Sequence, residues 1–266
     1  MPELIEVEIY RRALDRLVGD SIEQAVLHDP LFVRPRGLDA GDVAQLAGFR
    51  IAATARRGKL LLVDLERDLD HGGEERTVGL RFGMTGRLVV DGVSAIEQLE
   101  YASTRDEPTW DRVVVTTSSS WFAIRDQRRL GSIDLDPDPH SLGPDALAVD
   151  AAMLGSMVEG RTTSIKALLL NQSVIAGLGN LLVDEVLFAA GVDPTREAGG
   201  LSPEEVERVA RAIAATAAEL SRRGGSHTGD LFPHRMAGAA CPLDGEPLRN
   251  DRVGGRGTWW CPRHQR

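Results

Sequence analysis

No apolar run in these 266 residues approaches the roughly 20 needed to cross a membrane as a helix. The first residues include Glu3, Glu6 and Glu8, too acidic for a secretory signal peptide. These absences exclude a membrane-spanning class and place the expected location in the cytoplasm. Cysteine is nearly missing: Cys241 and Cys261 allow one disulfide, and in a reducing compartment a metal site is the expected use of such a pair. There is no long internal repeat, which excludes a solenoid. Positive charge is short, with a net charge of -9, and taken as a whole this argues against a nucleic-acid partner. Distribution matters more than the sum. From Ser221 to Arg266 there are eight arginines against four acids, a local +4, so the acidic excess lies elsewhere.

What is present is ordinary for a globular protein. Hydrophobic residues make up 42% and charged residues 27%, and the length suits one large or two modest domains. Val7, Tyr10, Leu14 and Leu17 recur at helical spacing and predict a helix from about Glu3 to Val18, stopped by Gly19. Short alternating or β-branched runs follow at 22–27, 50–54, 59–65, 78–82, 87–90, 112–117 and 121–125. The charged stretch 68–75 reads as an exposed turn. Pro137, Pro139 and Pro144 among acids read as a linker over 134–145. Helical patterns then appear at 164–171, 181–190 and 203–223. The last has Ser202 as N-cap, Pro203 at its first position and Glu205 completing a capping box. The fold class is α+β: a helix and β-sandwich over 1–135, a linker at 136–148, a helical domain over 149–225, a connecting loop at 226–240, and a finger-like hairpin over 241–266.

Several short motifs can carry chemistry. Met1 is normally trimmed before proline, leaving Pro2 as a terminal secondary amine. An α-amino group titrates near pH ~8, so a fraction is neutral and nucleophilic at neutral pH. Glu3 adjoins that amine and Glu6 lies one helical turn on, an acid–base arrangement. Proline and early glutamates also suit a helix start for structural reasons alone. Gln172–Gly191 places a glycine-rich turn, Gly177–Gly179, before a helix start at Asn180, where N–H groups can bind a phosphate. In the tail, Cys241-Pro-Leu-Asp244 and Cys261-Pro-Arg-His264 have zinc-ribbon spacing, and aspartate and histidine are legitimate zinc ligands. Packing around Leu248, Trp259 and Trp260 is the metal-free alternative for that hairpin.

The start Met-Pro-Glu-Leu-Ile-Glu-Val-Glu resembles that of the formamidopyrimidine-DNA glycosylase / endonuclease VIII family, with Ile5 where that family usually has a second proline. Ala176, Gly177, Gly179, Asn180, Asp184, Glu185, Phe188 and Gly191 resemble its helix–two-turn–helix segment. Arg57–Leu61 resembles the family's lysine-bearing turn, Phe82–Leu88 its wedge-methionine loop, and Asp126–Gly131 its second void-filling loop. The motifs run in the family's order over most of the chain. The resemblance implies a bifunctional DNA glycosylase and abasic-site lyase of bacterial base excision repair, monomeric, cytoplasmic and nucleoid-associated, acting on double-stranded damaged DNA held between two domains. By resemblance Pro2 is the Schiff-base nucleophile, Glu3 the acid, and Glu6 and Lys59 supporting groups. Met84, Arg129 and Leu130 fill the void left by an extruded base, and Leu130 stands where phenylalanine is common. Asn180 and Arg256 contact the DNA backbone. The family's finger has four cysteines; here Cys241, Asp244, Cys261 and His264 occupy those places, for a structural Zn2+. No redox cofactor is implied. The segment 224–240 is short for a reader of 8-oxoguanine, so oxidised pyrimidines, hydantoins and bare abasic sites are candidates too. The alternatives are a non-catalytic damaged-DNA-binding protein on the same scaffold, or a zinc-dependent regulator.

Overall fold

A computed structural model describes residues 2–35, 37–67, 73–96, 99–100, 103, 105 and 107–266. The chain divides into two compact units, Pro2 with Glu6–Pro139, and Glu3–Ile5 with His140–Arg266. The first few residues are therefore shared between the units.

In the first unit, helix α1 (Leu4–Leu14) continues as a 3-10 turn over Asp15–Leu17, and Gly19 breaks it at φ +100°. The strands that follow are β1 (Ile22–Leu27), β2 (Val33–Arg34), then, after a short helix α2 (Ala40–Ala44), β3 (Arg50–Arg57), β4 (Leu60–Arg67), β5 (Glu74–Arg81), β6 (Arg87–Val90), β7 (Val93–Ser94), β8 (Asp111–Thr117), β9 (Trp121–Arg125) and β10 (Ser132–Leu135). They form two five-stranded sheets, ordered β1-β8-β9-β6-β7 and β2-β10-β5-β4-β3. All pairings are antiparallel except β2 with β10. β8 alternates buried and half-buried positions along its whole length, the period-two pattern of a strand with one face on the core. Ile22, Leu88, Val113, Val115, Phe122 and Ile124 from one sheet meet Leu61, Val63, Val78, Leu80 and Ile133 from the other in one hydrophobic cluster. Val7, Tyr10, Leu14 and Leu17 join it, as their spacing predicts.

Two sequence expectations change here. Glu74 and Glu75 open β5 and pair with Arg67 and Glu66, so the charged turn is shorter than 68–75; residues 68–72 lie outside the described set. Leu135 ends β10, whose Asp134 had read as linker. That strand is only four residues long and buries polar side chains by pairing them. Ser132 Oγ donates to Asp134 at 2.6 Å, and Arg81 Nε meets the same carboxylate at 2.6 Å.

The second unit carries α3 (Ala151–Val158), α4 (Ile165–Leu170), α5 (Asn180–Ala190), α6 (Pro203–Arg223) and the hairpin β11 (Arg249–Val253) with β12 (Arg256–Trp260). The capping box at Ser202 and Glu205 is formed, and Gly224 ends α6 at φ +103°. α3 carries only a short pattern interrupted by Gly155; Asp150 caps it by accepting from Met153 N–H at 2.8 Å. α5 is the centre of this unit. It is buried on every side from Leu181 to Phe188, Asp184 and Glu185 included, and packs against α4, α6 and β12.

Candidate active site and metal centre

Glu3 is almost wholly buried and sits on the N-terminus of α5. Its carboxylate accepts N–H bonds from Gly179 at 2.8 Å, Leu181 at 3.0 Å and Leu182 at 3.1 Å. Next to it, Leu4 N–H donates to the Gly177 carbonyl at 3.1 Å. A carboxylate at a helix N-terminus is favoured by the orphan N–H groups and the dipole together. A Cβ on residue 179 would lie 2.3 Å from Glu3 Cδ, so the glycine leaves room for the acid. The N–H groups that the sequence offered to a phosphate are thus taken by a residue of the chain itself.

The remaining catalytic candidates belong to the first unit. Pro2 precedes α1 and is buried, as is Glu6 in its first turn. Burial, and after it the charge of Glu6, pushes the Tyr10 phenol far above its usual range. Lys59 occupies a two-residue hairpin turn, since Arg57 pairs with Leu60. Gly58 at φ +59° takes the first turn position, the arrangement of a type II′ turn.

The two proposed void-filling loops touch each other. A Cβ on Gly83 would lie 2.4 Å from the Leu130 carbonyl carbon. Met84 Sδ is 4.0 Å from an Arg128 guanidinium nitrogen. Leu130 stands 46% exposed, while Arg129 is clamped to Asp29 with Nε 2.6 Å from the carboxylate. Both loops are organised by Asp126, which is fully buried. It accepts from Thr85 Oγ1 and from the backbone N–H groups of Arg128 at 3.1 Å, Leu130 at 2.8 Å and Gly131 at 2.7 Å. Sequence reasoning missed it; the available signal was an aspartate opening a turn, where its side chain commonly satisfies backbone N–H groups.

The backbone-contact candidates lie in the second unit. Asn180 Nδ2 donates to the Gly257 carbonyl at 3.1 Å, tying the start of α5 to the hairpin. Arg256 is exposed beside the hairpin turn. Gly254 and Gly255 fill that turn at φ +57° and +77°, as a type I′ turn requires.

Lys166 also holds the hairpin, a role with no local signal in the sequence. Its ammonium is completely buried, 2.5 Å from Asp184 and 2.8 Å from Thr258 Oγ1 on β12. Arg235 pairs with the other oxygen of Asp184. Burial pulls the Lys166 ammonium down and pushes the Asp184 carboxyl up; their mutual attraction opposes both shifts, while the charge of Arg235 opposes the shift on Asp184 and adds to that on Lys166. Removing one partner from a buried pair typically costs about 3–5 kcal/mol. Lys166→Met is therefore expected to destabilise the second unit near the lower end of that range, because Arg235 remains. Hydrogen exchange at the β11–β12 amides is the check. Unchanged protection there would remove Lys166 from the hairpin's support.

A second glutamate repeats the Glu3 arrangement. Glu185 on α5 accepts from Leu231 N–H at 3.1 Å, and a Cβ on Gly229 would fall 2.1 Å from its carboxylate. Burial pushes its carboxyl up to about 7. It anchors the short segment between α6 and the hairpin.

At the tail, Cys241, Asp244 and Cys261 bring ligand atoms within 4.8 Å of one another. Both Asp244 oxygens lie 3.5 Å from Cys261 Sγ. Zn–S of about 2.3 Å and Zn–O of about 2.0 Å at the tetrahedral angle put the two donors about 3.5 Å apart, so the pair fits zinc. Burial pushes the Cys241 thiol up to about 11, and a metal would have to displace that proton. His264, the fourth ligand expected from the sequence, does not join this group. His264 Nε2 lies 2.8 Å from the Phe188 carbonyl, and its ring packs on Phe188 at 4.9 Å between centroids. The tail residues after Cys261 also bond to the end of α5, Gln265 Nε2 to the Val192 carbonyl at 3.0 Å and Arg266 N–H to the Gly191 carbonyl at 3.1 Å.

The fold matches that of known DNA glycosylases. Residues 1–133 match the model of the formamidopyrimidine-DNA glycosylase N-terminal domain, and 142–230 that of its H2TH domain. The chain belongs to the formamidopyrimidine-DNA glycosylase family. It is 36% identical to a formamidopyrimidine-DNA glycosylase of Geobacillus kaustophilus and 34% identical to one of Rhodopseudomonas palustris, over 100% of each chain. Among solved structures it resembles Lactococcus lactis Fpg, as a mutant in complex with Fapy-dG-containing DNA (TM-score 0.82) and as the wild type with DNA containing an oxidised pyrimidine (TM-score 0.81). Both are 25% identical and fully covered. Among the described residues, no helix is long and apolar enough to cross a membrane.

Proposed function

We propose that this protein is a DNA glycosylase with abasic-site lyase activity, excising oxidised bases from double-stranded DNA in bacterial base excision repair. The observation that carries the reading is the carboxylate of Glu3, the residue that follows Pro2 in the chain, fixed by three backbone N–H bonds. In the proposed reaction the neutral Pro2 amine attacks C1′ of the damaged nucleotide. The N-glycosidic bond breaks, and its electron pair leaves with the base, which takes up a proton. The proton shed by the Pro2 nitrogen passes through Glu3 to the ring oxygen O4′ as the sugar opens, leaving an iminium between Pro2 and C1′. Loss of a C2′ proton expels the 3′ phosphate, and a second elimination expels the 5′ phosphate. Hydrolysis of the iminium frees Pro2. Glu6 and Lys59 support these eliminations.

Extruding a base leaves a hole in the duplex, and Met84, Arg129 and Leu130 fill it. Arg129 must exchange Asp29 for DNA to do so. Asn180 and Arg256 bind the phosphate backbone. Cys241, Asp244 and Cys261, with His264 as the fourth candidate, would hold a zinc ion that orders the hairpin carrying Arg256 and takes no part in the chemistry. The protein works as a cytoplasmic monomer. Borohydride reduction in the presence of abasic-site duplex tests this reading, because reduction converts an iminium into a stable cross-link. A non-catalytic damage-binding protein would retain the duplex and form no cross-link.

A further inference from the structure

Asp29 and Arg129 meet from turns 100 residues apart. Asp29 follows β1, is almost wholly buried, and is fixed without the arginine. Its N–H donates to the Arg112 carbonyl at 3.4 Å, and its Oδ1 accepts from Leu31 N–H at 3.1 Å, capping the 3-10 turn Pro30–Phe32. Arg129 lies between β9 and β10 at φ +58°, and Asp126 holds the backbone on both sides of it through Arg128, Leu130 and Gly131. Its guanidinium rests on Asp29. Nη2 donates to Oδ1 at 3.0 Å, and Nε stands 2.6 Å from Oδ2. The second contact is close but out of line, since among the described residues Oδ2 is a buried oxygen with no hydrogen bond. A second cation also faces this carboxylate. Arg112, whose Nε donates to the Asp126 carbonyl at 2.8 Å, brings Nη1 to 3.9 Å from Asp29 Oδ2. When Arg129 swings out, Asp29 keeps Arg112 and the Leu31 N–H, so no uncompensated buried charge is left behind.

We propose that Asp29 is a latch on Arg129: it holds the arginine back from the duplex, and the arginine leaves it for the base opposite the lesion. This rests on the reading that Arg129 fills the void. A guanidinium only donates, so whatever replaces the carboxylate must be an acceptor. The base left unpaired when its partner is extruded offers such acceptors on its exposed edge. Asp29 thus sets the free energy at which Arg129 is released, and with it the affinity for damaged duplex.

Asp29→Asn removes the charge and keeps an oxygen for Leu31 N–H. Its affinity for a duplex carrying a tetrahydrofuran abasic site, measured by fluorescence anisotropy at fixed salt, should rise about fivefold, the upper end for a half-exposed ion pair. The same substitution in an Arg129→Ala background should change affinity by less than about twofold, as it should in the unaltered background on the single-stranded oligonucleotide, which has no opposite base. Removing a negative charge beside DNA can raise affinity for any strand. Equal gains in both backgrounds, or on single and double strands, therefore overturn the latch. A loss of affinity in Asp29→Asn also overturns it, by showing that the carboxylate presents Arg129 to the duplex. Asp29→Ser, whose hydroxyl keeps the cap, takes its place if the denaturant midpoint shows Asp29→Asn unfolded. Arg129→Ala alone tests the underlying reading: duplex affinity equal to that of the unaltered protein overturns the void-filling role, and the latch with it.

Discussion

Protein that keeps Met1 forms no borohydride-stable adduct with abasic-site duplex, whereas protein trimmed to Pro2 does. The reason is electronic. Once Met1 acylates it, the Pro2 nitrogen is a tertiary amide whose lone pair is delocalised into the carbonyl. It can neither attack C1′ nor form an iminium. No other group readily substitutes for it. The chain has only two lysines, Lys59 and Lys166. Lys166 is fully buried against Asp184 and Thr258. Lys59 lies in a hairpin turn. Mass spectrometry establishes the state of the terminus in each preparation. A full yield of adduct from protein that retains Met1 would sink the nucleophile assignment.

Glu3→Gln is expected to slow base excision by about 10²–10⁴-fold, the usual contribution of a positioned acid–base group. The structure adds a second consequence that the residue's chemistry alone does not suggest. Both Glu3 oxygens are acceptors, one for Gly179 and Leu182 and the other for Leu181. An amide replaces one acceptor with an NH2 group, which then faces a backbone N–H. A buried donor left without a partner costs about 1–3 kcal/mol. The variant should therefore fall in denaturant midpoint as well as in excision rate. Rates compared at temperatures where both proteins are folded separate the two effects. Excision at the unaltered rate would take Glu3 out of the chemistry. An unchanged midpoint would mean that its hydrogen bonds contribute little.

Much of the fold could be read in the sequence because its signals are local. Ser202-Pro203 with Glu205 marks the start of α6, and Val7, Tyr10, Leu14 and Leu17 mark the buried face of α1. The short strands over 22–27, 87–90 and 121–125 carry their own β-branched and aromatic patterns. What stayed hidden depends on partners far along the chain. Lys166 looks like any helical lysine until Asp184, 18 residues away, and Thr258, 92 away, close on it. Asp134 looks like linker composition until Arg81 neutralises it across two strands. The spacing of Cys261 and His264 reads as a ligand pair, but that His264 Nε2 meets the Phe188 carbonyl on another helix is visible only in the fold. Gly179 and Gly229 could be recognised as turn glycines. That each makes room for a glutamate, Glu3 and Glu185, is visible only in three dimensions.

The central claim is that the terminal amine is the nucleophile, and mapping the cross-linked peptide after borohydride reduction tests it most directly. The protein is trapped on abasic-site duplex, digested, and the peptide carrying the sugar remnant is sequenced by mass spectrometry. The account predicts the remnant on the peptide that begins at Pro2, attached to its α-nitrogen. A remnant on Lys59 or Lys166, with an unmodified Pro2, would contradict it.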